Sequence, residues 1–248
     1  MTTEHASKHF EQDLKRLDNI MAEMGGLAEA QLADAMDVML KRDEEKALVV
    51  VAGDERIDAL AREVEELTVS MLAVHQPMAE DLRTVIAALR AASVIERIGD
   101  YAKNIAKRTV ALSQAPPVGP TKTIARMGAL VQRMIKNVLD AYVSRDADMA
   151  DDVRNSDEEV DALYTSLFRE LLTYMMEDPR NITSCTHLLF VAKNIERIGD
   201  HATNVAQNVQ FLVSGRAPAG KRTKSDASSY TVIEPANDSP DRPPGDDR

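Results

Sequence analysis

The sequence predicts an all-α protein made of two tandem three-helix bundles related by an internal repeat, six long helices in all. Three observations lead there. First, Glu96-Arg97-Ile98-Gly99-Asp100-Tyr101-Ala102-Lys103-Asn104 returns 100 positions later as Glu196-Arg197-Ile198-Gly199-Asp200-His201-Ala202-Thr203-Asn204, with five consecutive residues identical and two more matching beyond them. That spacing is too long for a solenoid unit, so it marks two related halves. Second, aromatic residues make up 4% of the chain and Trp is absent, while Ala, Leu, Val and Met supply most of the apolar content, a composition suited to helices packing on helices. Third, apolar residues recur at three- and four-residue spacing along long segments separated by Pro- and Gly-containing breaks.

The first helix is expected from about Phe10 to Lys41, on Leu14, Leu17, Met21, Met24, Leu27, Leu32, Met36 and Met39, with Gly25-Gly26 marking a kink. Asp43 caps the second, which runs to about His75 with Ile57, Leu60, Val64, Leu67 and Met71 on one stripe. Pro77 ends it and opens the third, from about Met78 to Leu112, which carries the first motif. Ala115-Pro116-Pro117-Val118-Gly119-Pro120 cannot continue a helix and reads as a hinge between the halves.

The second half repeats the plan, with helices from about Thr121 to Val143, Ala147 to Met176 and Asn181 to Val213, and a turn at Glu177-Asp178-Pro179-Arg180. The predicted division is a first bundle over residues 1–114, a Pro-rich linker over 115–120, a second bundle over 121–214 and a disordered tail over 215–248. The tail holds six basic and six acidic residues and little apolar content.

Residues four apart share a helix face, so Glu96, Asp100 and Asn104 form one oxygen-bearing stripe, and Glu196, Asp200 and Asn204 the other. Ile95, Ile98, Tyr101, Ala102 and Ile105 fall on the far side, which makes the stripe a surface feature or a groove wall. Gly99 and Gly199 each cost about 1 kcal/mol inside a helix, tolerable where a neighbouring helix approaches closely. The middle helix of each half adds a second pair, Asp54 with Asp58 and Asp157 with Asp161, on the flank of its apolar stripe. Each half thus presents up to four carboxylates and an Asn amide on two adjacent helices. Four like charges gathered together call for compensation, which hard cations with oxygen ligands provide.

A formal net charge of −11 argues against nucleic acid as the main partner, since phosphate contacts need clustered Lys and Arg. The single cysteine, Cys185, excludes an internal disulfide and reads as a small packing residue. No apolar run approaches the roughly 20 residues that span a bilayer, and residues 1–10 lack a signal-peptide core, so a cytoplasmic location is expected, with membrane association only through partners. His201 faces away from the acidic stripe and reads as a packing residue; His5 and His9 fall on a fraying terminus; His75 and His187 show no evident partner. Phosphate-binding loops, nucleophile elbows, dinucleotide fingerprints and Glu-x-x-His pairs are all absent, so no enzymatic activity is expected.

The doubled Glu-Arg-Ile-Gly-Asp-x-Ala-x-Asn, the preceding Gln76-Pro77-Met78-Ala79-Glu80-Asp81-Leu82-Arg83 and the Asp-x-x-x-Asp of each middle helix resemble the PhoU family of phosphate-specific transport regulators, over about residues 8 to 213. The second half departs from that pattern at Glu177-Asp178-Pro179-Arg180. The resemblance implies two three-helix bundles with pseudo-twofold symmetry, often dimeric, carrying metal ions (iron or zinc in some members, with manganese or magnesium also open). By position the implied ligands are Asp54, Asp58, Glu96, Asp100 and Asn104 in the first half, and Asp157, Asp161, Glu196, Asp200 and Asn204 in the second. It further implies a negative regulator of phosphate uptake and of the phosphate-starvation (Pho regulon) response. The implied partners are a PstB-like ATPase subunit of the phosphate ABC transporter and a PhoR-like sensor histidine kinase, with the chain as adaptor between them. The residues alone leave two other readings open, an acidic helical scaffold with no functional metal and a metal-binding protein of another role.

Overall fold

The computed structural model describes residues 2–216, with side chains from residue 8 onward. Six helices account for almost all of it: α1 Thr2–Lys41, α2 Glu44–His75, α3 Ala79–Ser113, α4 Thr121–Ser144, α5 Ala147–Glu177 and α6 Ile182–Ser214, with a 3-10 turn, Pro179–Asn181, before α6. The tail expected to be disordered lies outside the described residues beyond Arg216, as does the side chain of His5.

The two joints that start α2 and α5 are copies of one another, 103 positions apart. In each an arginine enters the left-handed region (Arg42 at φ 58, Arg145 at φ 54) and an aspartate follows as N-cap. Asp43 accepts from the Lys46 backbone N–H at 3.1 Å, and Asp146 from those of Asp148 and Met149 at 3.0 Å. Each cap satisfies N–H groups that the first helical turn leaves without a carbonyl.

α1, α2 and α3 pack as one group and α4, α5 and α6 as the other, yet the largest interface in the molecule is between α3 and α6, and α1 also packs on α4. Equivalent helices therefore pair across a pseudo-twofold axis, leaving α2 and α5 outermost. The α1–α4 contact shows the symmetry atom by atom. Gly25 admits Leu139, whose Cδ2 would lie 2.8 Å from a Cβ there, and Gly128, its counterpart 103 positions on, admits Met36, the counterpart of Leu139. The helix runs unbroken through Gly25-Gly26, and Gly25 makes room for a neighbour. α1 begins earlier than its apolar spacing indicated; Phe10 meets the His75 ring edge-on, and His75 Nε2 pairs with Asp13 Oδ2 at 2.9 Å, fastening the start of α1 to the end of α2.

The linker over 115–120 is docked on both halves. Arg42 hydrogen-bonds the carbonyls of Leu112 and Ala115, Ser184 Oγ donates to the Pro116 carbonyl, and Gly119, at φ 80, lies against Leu171. Cys185 is wholly buried in the core between these elements.

Candidate functional site: two acidic grooves

Each groove is founded on a buried aspartate of the middle helix. Asp54 is 2% exposed and Asp157 1%. Both carboxylates sit against the glycine of the Glu-Arg-Ile-Gly-Asp motif: a Cβ on Gly99 would lie 3.1 Å from Asp54 Oδ1, and one on Gly199 3.1 Å from Asp157 Oδ1. The glycine is there because a carboxylate of the next helix occupies the space of its missing side chain.

Around Asp54 the first half builds a polar network. Gln31 Nε2 of α1 donates to Asp54 Oδ1 at 3.1 Å. Lys103 Nζ, one turn beyond the motif's aspartate, hydrogen-bonds Asp54 Oδ2 and also Asp100 Oδ1, the latter at 2.5 Å. Burial works against the Lys103 charge, but the hydrogen bonds and charges of Asp100 and Asp54 outweigh it and hold this ammonium well above the ordinary lysine range. Glu96 is half-buried, and its carboxyl is raised by burial first and then by the nearby charges of Asp100 and Asp58, with Arg97 opposing and Asp54 adding to them. The four carboxylates assigned to this half are therefore neighbours, as their spacing indicated. Asn104 stands one turn beyond Asp100, half-buried.

A cleft of about 780 Å³ opens beside this network. Asp58, Ala61, Ser93 and Glu96 of the first half line it, and across from them stand Asn204 and Asn208 of α6. Asn204, grouped by the repeat with Glu196 and Asp200, thus belongs to the wall of the first half's cleft. A helical wheel could not show this, because the wall is assembled by the α3–α6 packing.

The second groove is closed where the first is open. Asp161 is 1% exposed and Glu196 3%, while Glu96 remains half-buried. The expectation of a surface stripe thus holds for Glu96, Asp100 and Asp200, and not for Glu196. The counterparts of Ala61 and Ser93 explain the difference, being Tyr164 and Lys193. The Lys193 ammonium lies 4.8 Å from the centre of the Tyr164 ring and pairs with Glu196 Oε1 at 3.0 Å. Two small residues leave a cleft, and two large ones cover the carboxylates.

Between the grooves the pseudo-twofold axis passes through one pair of rings. Tyr101 and His201, equivalent residues of the repeat, stack with centroids 5.4 Å apart and planes 21° from parallel. Burial lowers the affinity of His201 for a proton, Arg97 and Arg197 lower it further, and Asp200 opposes them. The packing role expected of His201 is the one it has. His187 does have a neighbour, Arg108 at 3.3 Å, whose guanidinium also lies 4.0 Å over the Phe190 ring.

Gln31, Lys103, Tyr164 and Lys193 are the residues that motif reading passed over. The signal for three of them lay in the mismatches of the repeat, Lys103 against Thr203, Ser93 against Lys193 and Ala61 against Tyr164. The mismatches bear on metal binding. Lys103 engages both Asp54 and Asp100, and among the described residues no group of three or more His, Cys, Asp or Glu side chains is gathered in a way that would hold a metal ion. In the first groove the Lys103 ammonium takes the place between Asp54 and Asp100 that a cation shared by them would take.

Fold and grooves together define a class: internally duplicated, all-α double bundles with an acidic groove under each copy of a Glu-Arg-Ile-Gly-Asp motif. The PhoU domain matches this chain twice, at residues 21–109 and 124–209. The phosphate-specific transport system accessory protein PhoU homolog of Caulobacter vibrioides is 50% identical over 92% of this chain and 99% of its own length, and that of Rhizobium meliloti 46% identical over 92% and 97%. The crystal structure of PhoU from Pseudomonas aeruginosa superposes with a TM-score of 0.81 at 38% identity, covering 84% of this chain and all of that one. The chain belongs to the PhoU family.

Proposed function

We propose that this chain is an accessory protein of phosphate-specific transport and that it acts as a negative regulator. In this reading it restrains uptake and the phosphate-starvation response when phosphate is plentiful, by bridging the transporter's ATPase subunit and a sensor histidine kinase. The observation that carries the reading is the match, along nearly the whole chain, to relatives named as phosphate-specific transport system accessory proteins. The surface supports it in a second way. Long helices with an acidic cleft between them offer binding faces, and no helix among the described residues is long and apolar enough to cross a membrane. In the proposed role the chain works as a homodimer on the cytoplasmic side of the transporter, through contacts with its partners.

The test has a genetic and a biochemical arm. Removing the gene from its host should raise phosphate uptake and a phosphate-starvation reporter in phosphate-rich medium, and the purified chain should retain the ATPase subunit and the kinase's cytoplasmic portion in a pull-down. Unchanged uptake and reporter output together with no retention of either protein would overturn the reading. Lys103 favours one refinement, in which the grooves are protein-binding or structural features with no functional metal.

A further inference from the structure

We propose that Lys103 and Lys193 are the resident cations of the two acidic grooves, supplied at non-equivalent positions of the repeat, so that this chain offsets from within part of the charge that metal ions would otherwise meet. The first groove shows the arrangement most fully. The Lys103 ammonium touches Asp54 and Asp100 together, Gln31 satisfies the other oxygen of Asp54, and Asp54 is held in the space left by Gly99. An ammonium donates up to three hydrogen bonds and carries one fixed positive charge, which suits a buried carboxylate with a half-exposed second one beside it.

The second groove reaches the same end by another route. Thr203 stands where Lys103 does, and its hydroxyl donates to the Asp200 carbonyl at 2.8 Å, so no ammonium comes from that position. Lys193 comes instead from a turn before the motif, pairs with the buried Glu196 and rests on Tyr164. The substitutions occur in sets. Gln31 and Lys103 in the first half are Met134 and Thr203 in the second, and Ala61 and Ser93 in the first are Tyr164 and Lys193 in the second. Each set places one lysine ammonium against the carboxylates of its groove, Lys103 on Asp54 and Asp100 and Lys193 on Glu196.

The experiment uses the full chain without an affinity tag. Elemental analysis after incubation with Mn²⁺ or Zn²⁺ and desalting is paired with thermal unfolding in chelator and in each metal. The wild-type chain should retain no stoichiometric metal and unfold at the same temperature in both conditions. Lys103→Thr, which installs the residue of the second half, should unfold at a lower temperature in chelator, recover with divalent cation and retain about one ion per chain, as expected for carboxylates that have lost their counter-ion. Lys193→Ser should behave likewise in the second half. If either lysine variant fails to fold, the near-isosteric Asp54→Asn, Asp100→Asn double variant carries the test in the parent background, where metal content should match that of the wild type. Stoichiometric metal in the wild type that is lost in this double variant or in Glu196→Gln would overturn the proposal. So would a folded Lys103→Thr protein indifferent to divalent cations.

Discussion

Replacing Gly99 with alanine sets two effects of known size against each other. Helix propensity favours alanine by about 1 kcal/mol at an interior position. Against this, a Cβ at 99 would lie 3.0 Å from Gln31 Oε1, 3.0 Å from Ile57 Cδ1 and 3.1 Å from Asp54 Oδ1. Ile57 is 1% exposed and has nowhere to go, and moving Asp54 strains its bonds to Gln31 and Lys103. Forcing a methyl into such a site costs about 2–3 kcal/mol, so Gly99→Ala should lose about 1–2 kcal/mol net. Gly199 differs in that only Asp157 Oδ1 is closer than 3.4 Å, the next atoms being Val131 Cγ2 at 3.6 Å and Val160 Cγ1 at 3.7 Å. There the two effects nearly cancel. Gly53 is the control, since nothing lies within 4 Å of a Cβ there and Gly53→Ala should gain close to the full propensity of about 1 kcal/mol. Thermal and urea unfolding of the three variants should therefore rank Gly53→Ala above Gly199→Ala above Gly99→Ala, with the extremes separated by roughly 4–12 °C at about 2–4 °C per kcal/mol. A Gly99→Ala protein as stable as Gly53→Ala would refute the claim that the motif's glycine exists to seat the aspartate.

Three further outcomes follow from the same contacts. The folded state resists protonating His201, so as pH falls below 6.5 the unfolded chain takes the proton first; stability from this residue is intact above that pH and declines as pH drops toward the folded value. His201→Tyr, which copies Tyr101 into both halves, should flatten that part of the stability curve measured by urea titration between neutral and mildly acidic pH. Removing the Asp146 cap with alanine should cost about 1 kcal/mol, and Asp43→Ala a similar amount, read from urea midpoints. Cys185, fully buried with its thiol raised by burial, should react with an alkylating reagent only as fast as the protein unfolds, and rapidly in denaturant.

Much of the architecture was legible because it repeats. The duplicated motif, the Asp43 cap and the Pro-rich break at 115–120 each have local causes, and local causes survive in a single sequence. The close approach at Gly99 was also foreseeable, since a glycine in a long helix needs a neighbour to justify it. What escaped was whatever depends on a second helix. The wheel that put Glu196 on an open face is correct for α6 alone, yet Tyr164 of α5 and the stem of Lys193 cover that face. The place of Asn204 on the wall of the first half's cleft escaped for a related reason, because that wall is assembled by the packing of α3 on α6. Lys103 belongs with these, since the partner that gives it a role, Asp54, comes from α2.

The two halves agree at some positions and differ at others, and the division follows energy. The paired features are those whose loss is costly in either half: the motif glycines against buried aspartates, the N-capping aspartates, and the interlocking of Gly25 with Leu139 and Gly128 with Met36. Burying a carboxylate without compensation, or pressing a side chain into a filled site, costs several kcal/mol, a large part of the 5–15 kcal/mol that holds a domain together. Positions on the cleft walls are not held to one residue type in both halves. Ala61 and Ser93 stand where the second half has Tyr164 and Lys193, and the exchange changes the shape and charge of a groove. Duplication thus fixed one scaffold twice and left two grooves free to differ, one open across the halves and one sealed. A partner that reads the open cleft meets Asp58 and Glu96 from one half and Asn204 and Asn208 from the other, so it can distinguish the two ends of a molecule whose backbone is nearly symmetric.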